Sequence, residues 1–395
     1  MTIASHIQEM LAGSSWIRKM FEEGARLKAQ HGAENVFDFS LGNPNLEPPE
    51  AFNQALRTVM AESAPMSHGY MPNVGYPHVR RAIAEYLARE QHPEISADDI
   101  IMTCGAAGAL NVILKAILDA GDEVIVPAPF FVEYRFYAAN HGGTLKTVAT
   151  RPDFNLDIEA ISEAVSAKTK AVLINSPNNP TGQVYSEESL KALGDLLERK
   201  SRQLGRTLYL LSDEPYRKIV YDNVHVPSIF TVYKDSIVAT SYSKDLSIAG
   251  ERLGFIAVHP RANFKSDLLN GMALTNRILG FVNAPALMQR AVALVQGVSV
   301  DVSVYHKKRD VLCDGLAESG YEFIRPPGAF YLFPKTPIAD DVEFVKALQE
   351  ELILAVPGSG FGGPGHFRLS YCVDDATIKN ALPGFKRTMD KYRHD

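Results

Sequence analysis

Ser236-Ile-Val-Ala-Thr-Ser-Tyr-Ser-Lys244-Asp-Leu-Ser-Ile-Ala-Gly250-Glu-Arg252-Leu-Gly254 decides how the rest of the chain is read. Its opening Ser236-Ile-Val-Ala239 is short, apolar and bounded by polar residues, which predicts a buried strand. The polar, glycine-punctuated run after it holds Lys244 and Arg252 where that strand ends. Similar apolar runs recur at residues 123–126, 171–174 and 208–211, and residues 79–88 and 107–118 carry helical apolar spacing. Short buried strands alternating with helices predict an α/β fold with a mainly parallel central sheet covered by helices.

The flanks have a different texture. Ser14-Ser-Trp-Ile17, with Met20-Phe21 and Ala25 to Leu27 behind it, reads as a capped amphipathic helix. Residues 37–40 read as a short strand that Gly42-Asn-Pro-Asn45 breaks into a loop. Past about residue 290 a long helical stretch leads to strand-like runs at 328–333 and 367–371, separated by a helix. The expected organisation is an N-terminal segment, 1–45, packing with a small α+β domain, 291–395, around a large domain, 46–290. There is no internal repeat and no low-complexity linker.

Composition bounds the function classes. The chain has 395 residues, 46% of them hydrophobic and 22% charged, with a formal net charge of -6. That balance offers no electrostatic case for nucleic acid or an acidic membrane surface. Cys104, Cys313 and Cys372 are odd in number and far apart, which suits buried thiols in a reducing cytoplasm better than a disulfide framework. The first residues lack a signal-peptide pattern, and no run approaches the roughly 20 apolar residues of a spanning helix. The histidines show no H-E-x-x-H spacing, so no metal is expected. Gly358-Ser-Gly-Phe-Gly-Gly363 matches a dinucleotide-loop pattern, but a proline turn and a strand follow where a helix is required.

In α/β sheets ligands gather beyond the carboxyl ends of the strands, so residues there deserve chemical scrutiny. Lys244 can form a Schiff base with an aldehyde cofactor if it is partly desolvated. Ser241 and Ser243 offer hydroxyls and Arg252 a fork for a phosphate dianion; the same run also reads as a solvated loop. In Ser212-Asp-Glu-Pro-Tyr216, Asp213 can keep a pyridine nitrogen protonated and Tyr216 can reach a phenolic oxygen. A helix N-cap is the alternative. Asn175-Ser-Pro-Asn-Asn179-Pro-Thr-Gly182 is a turn by composition, yet it would hang Asn179 over the same edge. Cys104-Gly-Ala-Ala-Gly-Ala-Leu110 opens a helix with small residues, and its free N–H groups would accept an anion.

These four runs, in this order, resemble the aspartate aminotransferase family, the fold-type-I enzymes that use pyridoxal 5'-phosphate. The likeness extends from Gly42-Asn-Pro to Phe367-Arg368-Leu-Ser. It implies that Lys244 forms the Schiff base and then acts as general base, and that Asp213 pairs with the pyridine nitrogen. It implies that Asn179 and Tyr216 bond the ring oxygen and that Phe131 stacks on the ring. By the same likeness Ser241, Ser243, Arg252 and the backbone at Gly105, Ala106 and Ala107 hold the phosphate, and Tyr70 reaches the phosphate of a neighbouring subunit. Arg368 would clamp the substrate α-carboxylate, with Asn179 and the backbone of Gly42 in support. The implied enzyme is a homodimer with a shared active site. It moves an amino group from an L-amino acid to a 2-oxo acid, 2-oxoglutarate being the expected acceptor, by a ping-pong route. A carbon–sulfur β-lyase or a decarboxylase on the same cofactor is the alternative; a non-catalytic regulator would need a DNA-reading module that the chain lacks.

Two departures bear on substrate. Ala107 stands where many members carry a hydroxyl, and where a subgroup using aspartate carries a lysine for the distal carboxylate, so aspartate is not fixed as the donor. Arg277 is a candidate distal cation that a dimer could supply across its interface, and Trp16 either packs or sits at the entrance of the site.

Overall fold

The computed structural model describes residues 3–12, 16–62 and 65–392. Its strands are β1 (Phe37–Asp38), β2 (Ile100–Thr103), β3 (Glu123–Ala128), β4 (Thr144–Ala149), β5 (Thr169–Asn175), β6 (Tyr209–Asp213), β7 (Ser236–Ser241), β8 (Gly254–Val258), β9 (Tyr331–Leu332), β10 (Ile353–Leu354), β11 (Val356–Pro357) and β12 (Phe367–Ser370). Seven of them form one sheet in the order β2-β8-β7-β6-β5-β3-β4. Only β8 runs against its neighbours; every other pairing between β7 and β4 is parallel.

Period-two alternation explains why this sheet sits inside the protein. Val172, Leu210 and Val238 point to one face, where they meet Leu190, Leu193 and Leu197 of the helix Glu187–Leu204. Ala171, Leu173, Leu211 and Ile237 point to the other, against Leu110 and Ile113 of the helix Gly105–Ile117. All five residues of β6 are buried, so the strand is covered on both faces rather than on one.

Sequence patterning located β3, β5, β6 and β7 but not β2, β4 and β8. β4 lies at the sheet edge and is largely polar, leaving no apolar run to find. β2 is four residues long and merges into the small-residue helix start. β8 opens on the glycine that closes the Lys244 run.

The smaller unit is built on β11-β12-β9, all antiparallel, with the helices Val302–Glu318, Asp341–Glu350 and Asp375–Tyr392. Phe39, Tyr305, Phe330, Phe344, Phe367 and Phe385 fill its core. β1 pairs with β10, placing Phe37 opposite Ile353, so the N-terminal region adds a strand here. The strand expected over 37–40 stops at Asp38 because its carboxylate accepts both the amide and the hydroxyl of Ser40. The run 328–333 yields only Tyr331–Leu332 as strand: Ala329 takes φ +55° and its amide turns to the Ile219 carbonyl. The amphipathic helix runs Trp16–His31, whereas the capping Ser14 and Ser15 lie outside the described residues. Gly358–Phe361 forms a single 3-10 turn leading to β12, as a non-nucleotide reading requires. Among the described residues no helix is long and apolar enough to cross a membrane.

Leu210 is fully buried within β6. Its replacement by alanine is expected to lower stability by about 2–5 kcal/mol, read as a drop in the urea midpoint with unchanged slope.

Candidate active site

Strand register brings the chemistry to one edge. Asn175 lies opposite Asp213, and Asp213 opposite Ala239, so β5, β6 and β7 end nearly level. β8 runs the other way, and its first residue, Gly254, pairs with both Ser241 and Thr103. The antiparallel strand therefore delivers Arg252 to the same edge, beside the helix that starts after β2.

Glycine is required where those segments meet. A Cβ on Gly254 would collide with the Thr240 carbonyl and the backbone of Gly105. Gly105 itself has φ +73° and stands against the Arg252 guanidinium, where an added Cβ would come within 3.1 Å of Nη2. Cys104 makes no side-chain cap bond to the helix it precedes, so the first-turn N–H groups stay available beside Arg252. Arg252 is exposed, is held at φ +53°, and donates from Nη1 to the Ala249 carbonyl at 3.0 Å.

A cavity of about 390 Å³ opens at this edge. Of the residues expected from sequence, Gly42, Ala106, Ala107, Phe131, Asn179, Asp213, Tyr216, Ser241, Ser243, Lys244, Arg252 and Arg368 line it, with Gly105 directly behind. Three do not. Tyr70 is 90% exposed, Arg277 is exposed at the end of the helix Lys265–Ile278, and Trp16 packs over Gly360.

Lys244 donates to the Gly42 carbonyl at 2.7 Å, with the rings of Phe330 and Tyr216 at 5.5 and 5.9 Å. Loss of water brings its ammonium down to about 8, and the cations Arg368 and Arg252 push the same way. Asp213 moves oppositely. Burial raises its carboxyl to about 7, the hydrogen bond from Tyr134 partly offsets this, and Glu214 adds to it. Tyr134 donates to Oδ2 at 2.6 Å, while Oδ1 is buried without a partner. The N-cap alternative for Asp213 is excluded, since a turn rather than a helix follows β6.

Asn175 ties the strand ends together. Its Nδ2 donates to the Asp213 carbonyl at 2.8 Å and its Oδ1 accepts the Asn179 amide at 2.7 Å. Asn179 Oδ1 in turn accepts from Arg368 Nη1 at 3.0 Å. Arg368 also donates to the Ser40 carbonyl and lies between Phe361 and Tyr331, 4.6 and 4.7 Å from their ring centres. Its Nε is buried and unpartnered. Tyr216 and Tyr331 share a 2.8 Å hydroxyl contact, and burial raises both phenols, Tyr331 to about 12, so both stay neutral.

Sequence reasoning missed Tyr134, Asn175 and Tyr331, and also Glu133 and Tyr137, which share the cavity wall. Asn175 carried a signal, as the polar last residue of an apolar strand. Tyr134 and Tyr331 looked like ordinary aromatic core. The assembled edge offers an amine near neutrality, a buried acceptor shaped for one cationic N–H, and two separate anion sites, at the helix start with Arg252 and at Arg368.

Comparison with known proteins agrees with this chemistry. The family described as aminotransferase class I and II matches residues 34–385. A probable aspartate aminotransferase of Methanocaldococcus jannaschii is 34% identical over 357 residues, covering 88% of this chain and 92% of that protein. An aminotransferase structure from Eubacterium rectale superposes with a TM-score of 0.96 at 40% identity over the full length of both chains. The Thermus thermophilus aspartate aminotransferase with maleate superposes at 0.87 with 30% identity, over 98% of this chain and 100% of that one. The chain thus belongs to the class I and II aminotransferases, a family of pyridoxal-phosphate-dependent enzymes.

Proposed function

We propose that this chain binds pyridoxal 5'-phosphate at the sheet edge and moves an amino group from an L-amino acid to a 2-oxo acid in two alternating half-reactions. One observation carries the reading: Asp213 Oδ1, a buried acceptor without a partner, lines the same cavity as a lysine that burial brings down to about 8. An unpaired buried carboxylate oxygen is costly, and a cationic ring N–H would satisfy it. Lys244 would make the covalent link. The first-turn amides at Gly105, Ala106 and Ala107, with Ser241, Ser243 and Arg252, would hold the phosphate, and Phe131 would cover the ring. Asn179 and Tyr216 would bond the ring oxygen.

The bound cofactor supplies an electron sink for charge at the substrate α-carbon. Arg368 would clamp the α-carboxylate, with Asn179 and Gly42 beside it, and so orient the Cα–H bond. Lys244, once released, would carry that proton as general base and return it as general acid. Tyr70 points to a homodimer in which each subunit completes the other's phosphate site; its exposure in the single chain supports that role. The organisation proposed with it is an N-terminal segment 1–45, a large domain 46–290 and a small domain 291–395. The three free thiols suit a cytoplasmic setting. The first assay pairs a panel of amino acids with 2-oxoglutarate and, separately, with a monocarboxylic 2-oxo acid, alongside one for pyruvate and ammonia release, which would favour a lyase instead.

Lys244→Ala is expected to cut turnover by at least about 10³-fold and to leave cofactor that borohydride cannot fix. Borohydride-fixed cofactor on another lysine would sink the assignment. In cofactor-free protein the ammonium of Lys244 has no lone pair to attack with, so the rate of cofactor capture should rise with pH and level off above about 8, followed by absorbance. Tyr134→Phe removes the bond that holds the Asp213 carboxyl down, so the pH at which Asp213 ionises should move up, and kcat at neutral pH should fall about tenfold. An unchanged pH profile in that variant would refute the tuning role.

A further inference from the structure

The charges lining the cavity pair off until one remains. Its cations are Lys244, Arg252 and Arg368 and its anions Asp213 and Glu133. Under the reading above, Arg252 faces a phosphate, Arg368 an α-carboxylate, and Asp213 a cationic N–H, while Lys244 gives up its charge on linkage. Glu133 is left over.

Glu133 lies on the turn after β3, two residues beyond Phe131, and is half-buried in the cavity wall. Its carbonyl accepts the amide of Tyr137 at 3.0 Å, which sets the turn and brings Tyr137 to the same wall. Burial alone raises the Glu133 carboxyl, with no neighbouring charge contributing. Among the described residues it makes no ion pair, and Ala107, Leu110, Phe131 and Tyr137 line the same cavity. A partly buried carboxylate with no counter-charge calls for a donor or a cation from the ligand.

We propose that Glu133 reads the side chain of the amino-acid substrate, selecting side chains that end in a cation or a hydrogen-bond donor over those that end in a carboxylate. The proposal rests on the aminotransferase reading and narrows it. A like charge facing Glu133 would be repelled, so this chain differs in preference from relatives named for aspartate. Both half-reactions share one cavity, so the same preference applies to the oxo acid and disfavours 2-oxoglutarate against a monocarboxylic acceptor.

The test uses the holoenzyme and Glu133→Gln, with kcat/KM of the half-reaction measured by cofactor absorbance for lysine, norleucine, glutamine and glutamate. In the native enzyme lysine should exceed norleucine, and glutamine should exceed glutamate, each by about tenfold or more. Glu133→Gln should bring both ratios down at least about tenfold. Ratios within one protein are insensitive to a general loss of activity. The affinities of α-methyl-lysine and α-methyl-norleucine, which have no α-proton to lose, should show the same dependence by calorimetry. A native preference for glutamate over glutamine, or ratios that survive Glu133→Gln, overturns the proposal. If no amino acid converts the cofactor while the α-methyl affinities follow Glu133, the transamination reading fails and the side-chain assignment stands.

Discussion

Desolvation at the carboxyl edge of the seven-stranded sheet acts on two groups of opposite charge and moves both toward neutrality. It lowers Lys244 to about 8 and raises Asp213 to about 7. Neither shift comes from a salt bridge between them; Lys244 is bonded to the Gly42 carbonyl and Asp213 to Tyr134. Were the two paired directly, each would hold the other in its charged form and the amine would be a poor nucleophile. The site depends on keeping them apart in a common low-dielectric cavity, and strand register does so by placing them at the ends of neighbouring strands β6 and β7.

One route of side-chain hydrogen bonds couples the two sheets across the cavity. Asn175 on β5 bonds the end of β6 and the Asn179 amide, and the Asn179 side chain bonds Arg368 on β12. Arg368 continues to Ser40, just past β1. One chain of hydrogen bonds thus runs from the large sheet through the cavity to the smaller unit and the N-terminal region. A buried guanidinium is costly to hold, and its two flanking rings recover part of that through cation–π contact. Its Nε is buried without a partner, an unmet donor that a bound anion would satisfy.

The legible part of this design was the part set by chain direction. β5, β6 and β7 begin as apolar runs, and Asn179, Asp213 and Lys244 stood out for lying at or just past their ends, whereas the Ala106–Ala107 helix start stood out for its small residues without the strand β2 before it. What escaped depends on distance in space. Tyr134 is separated from Asp213 by 79 positions, and Tyr216 meets Tyr331 across 115; no local pattern encodes either contact. β8 was missed because an antiparallel strand breaks the expectation of uniform alternation, yet it is what carries Arg252 to the edge. Glu133 was passed over for a related reason: a lone acid after a strand is ordinary until the fold places it in the cavity wall.

The electrostatics of the cavity also bear on how the base is brought into play. Arg368 and Arg252 both depress the basicity of Lys244. An anion bound at either arginine cancels the field that does so, and the amine then holds a proton more tightly. Under the proposed reading, an α-carboxylate on Arg368 would make Lys244 the stronger base as the Cα–H bond is placed before it. Before that, its weaker basicity favours the neutral form needed for covalent linkage. One lysine can therefore serve as nucleophile and as base in sequence, its strength set by which anion sites are filled.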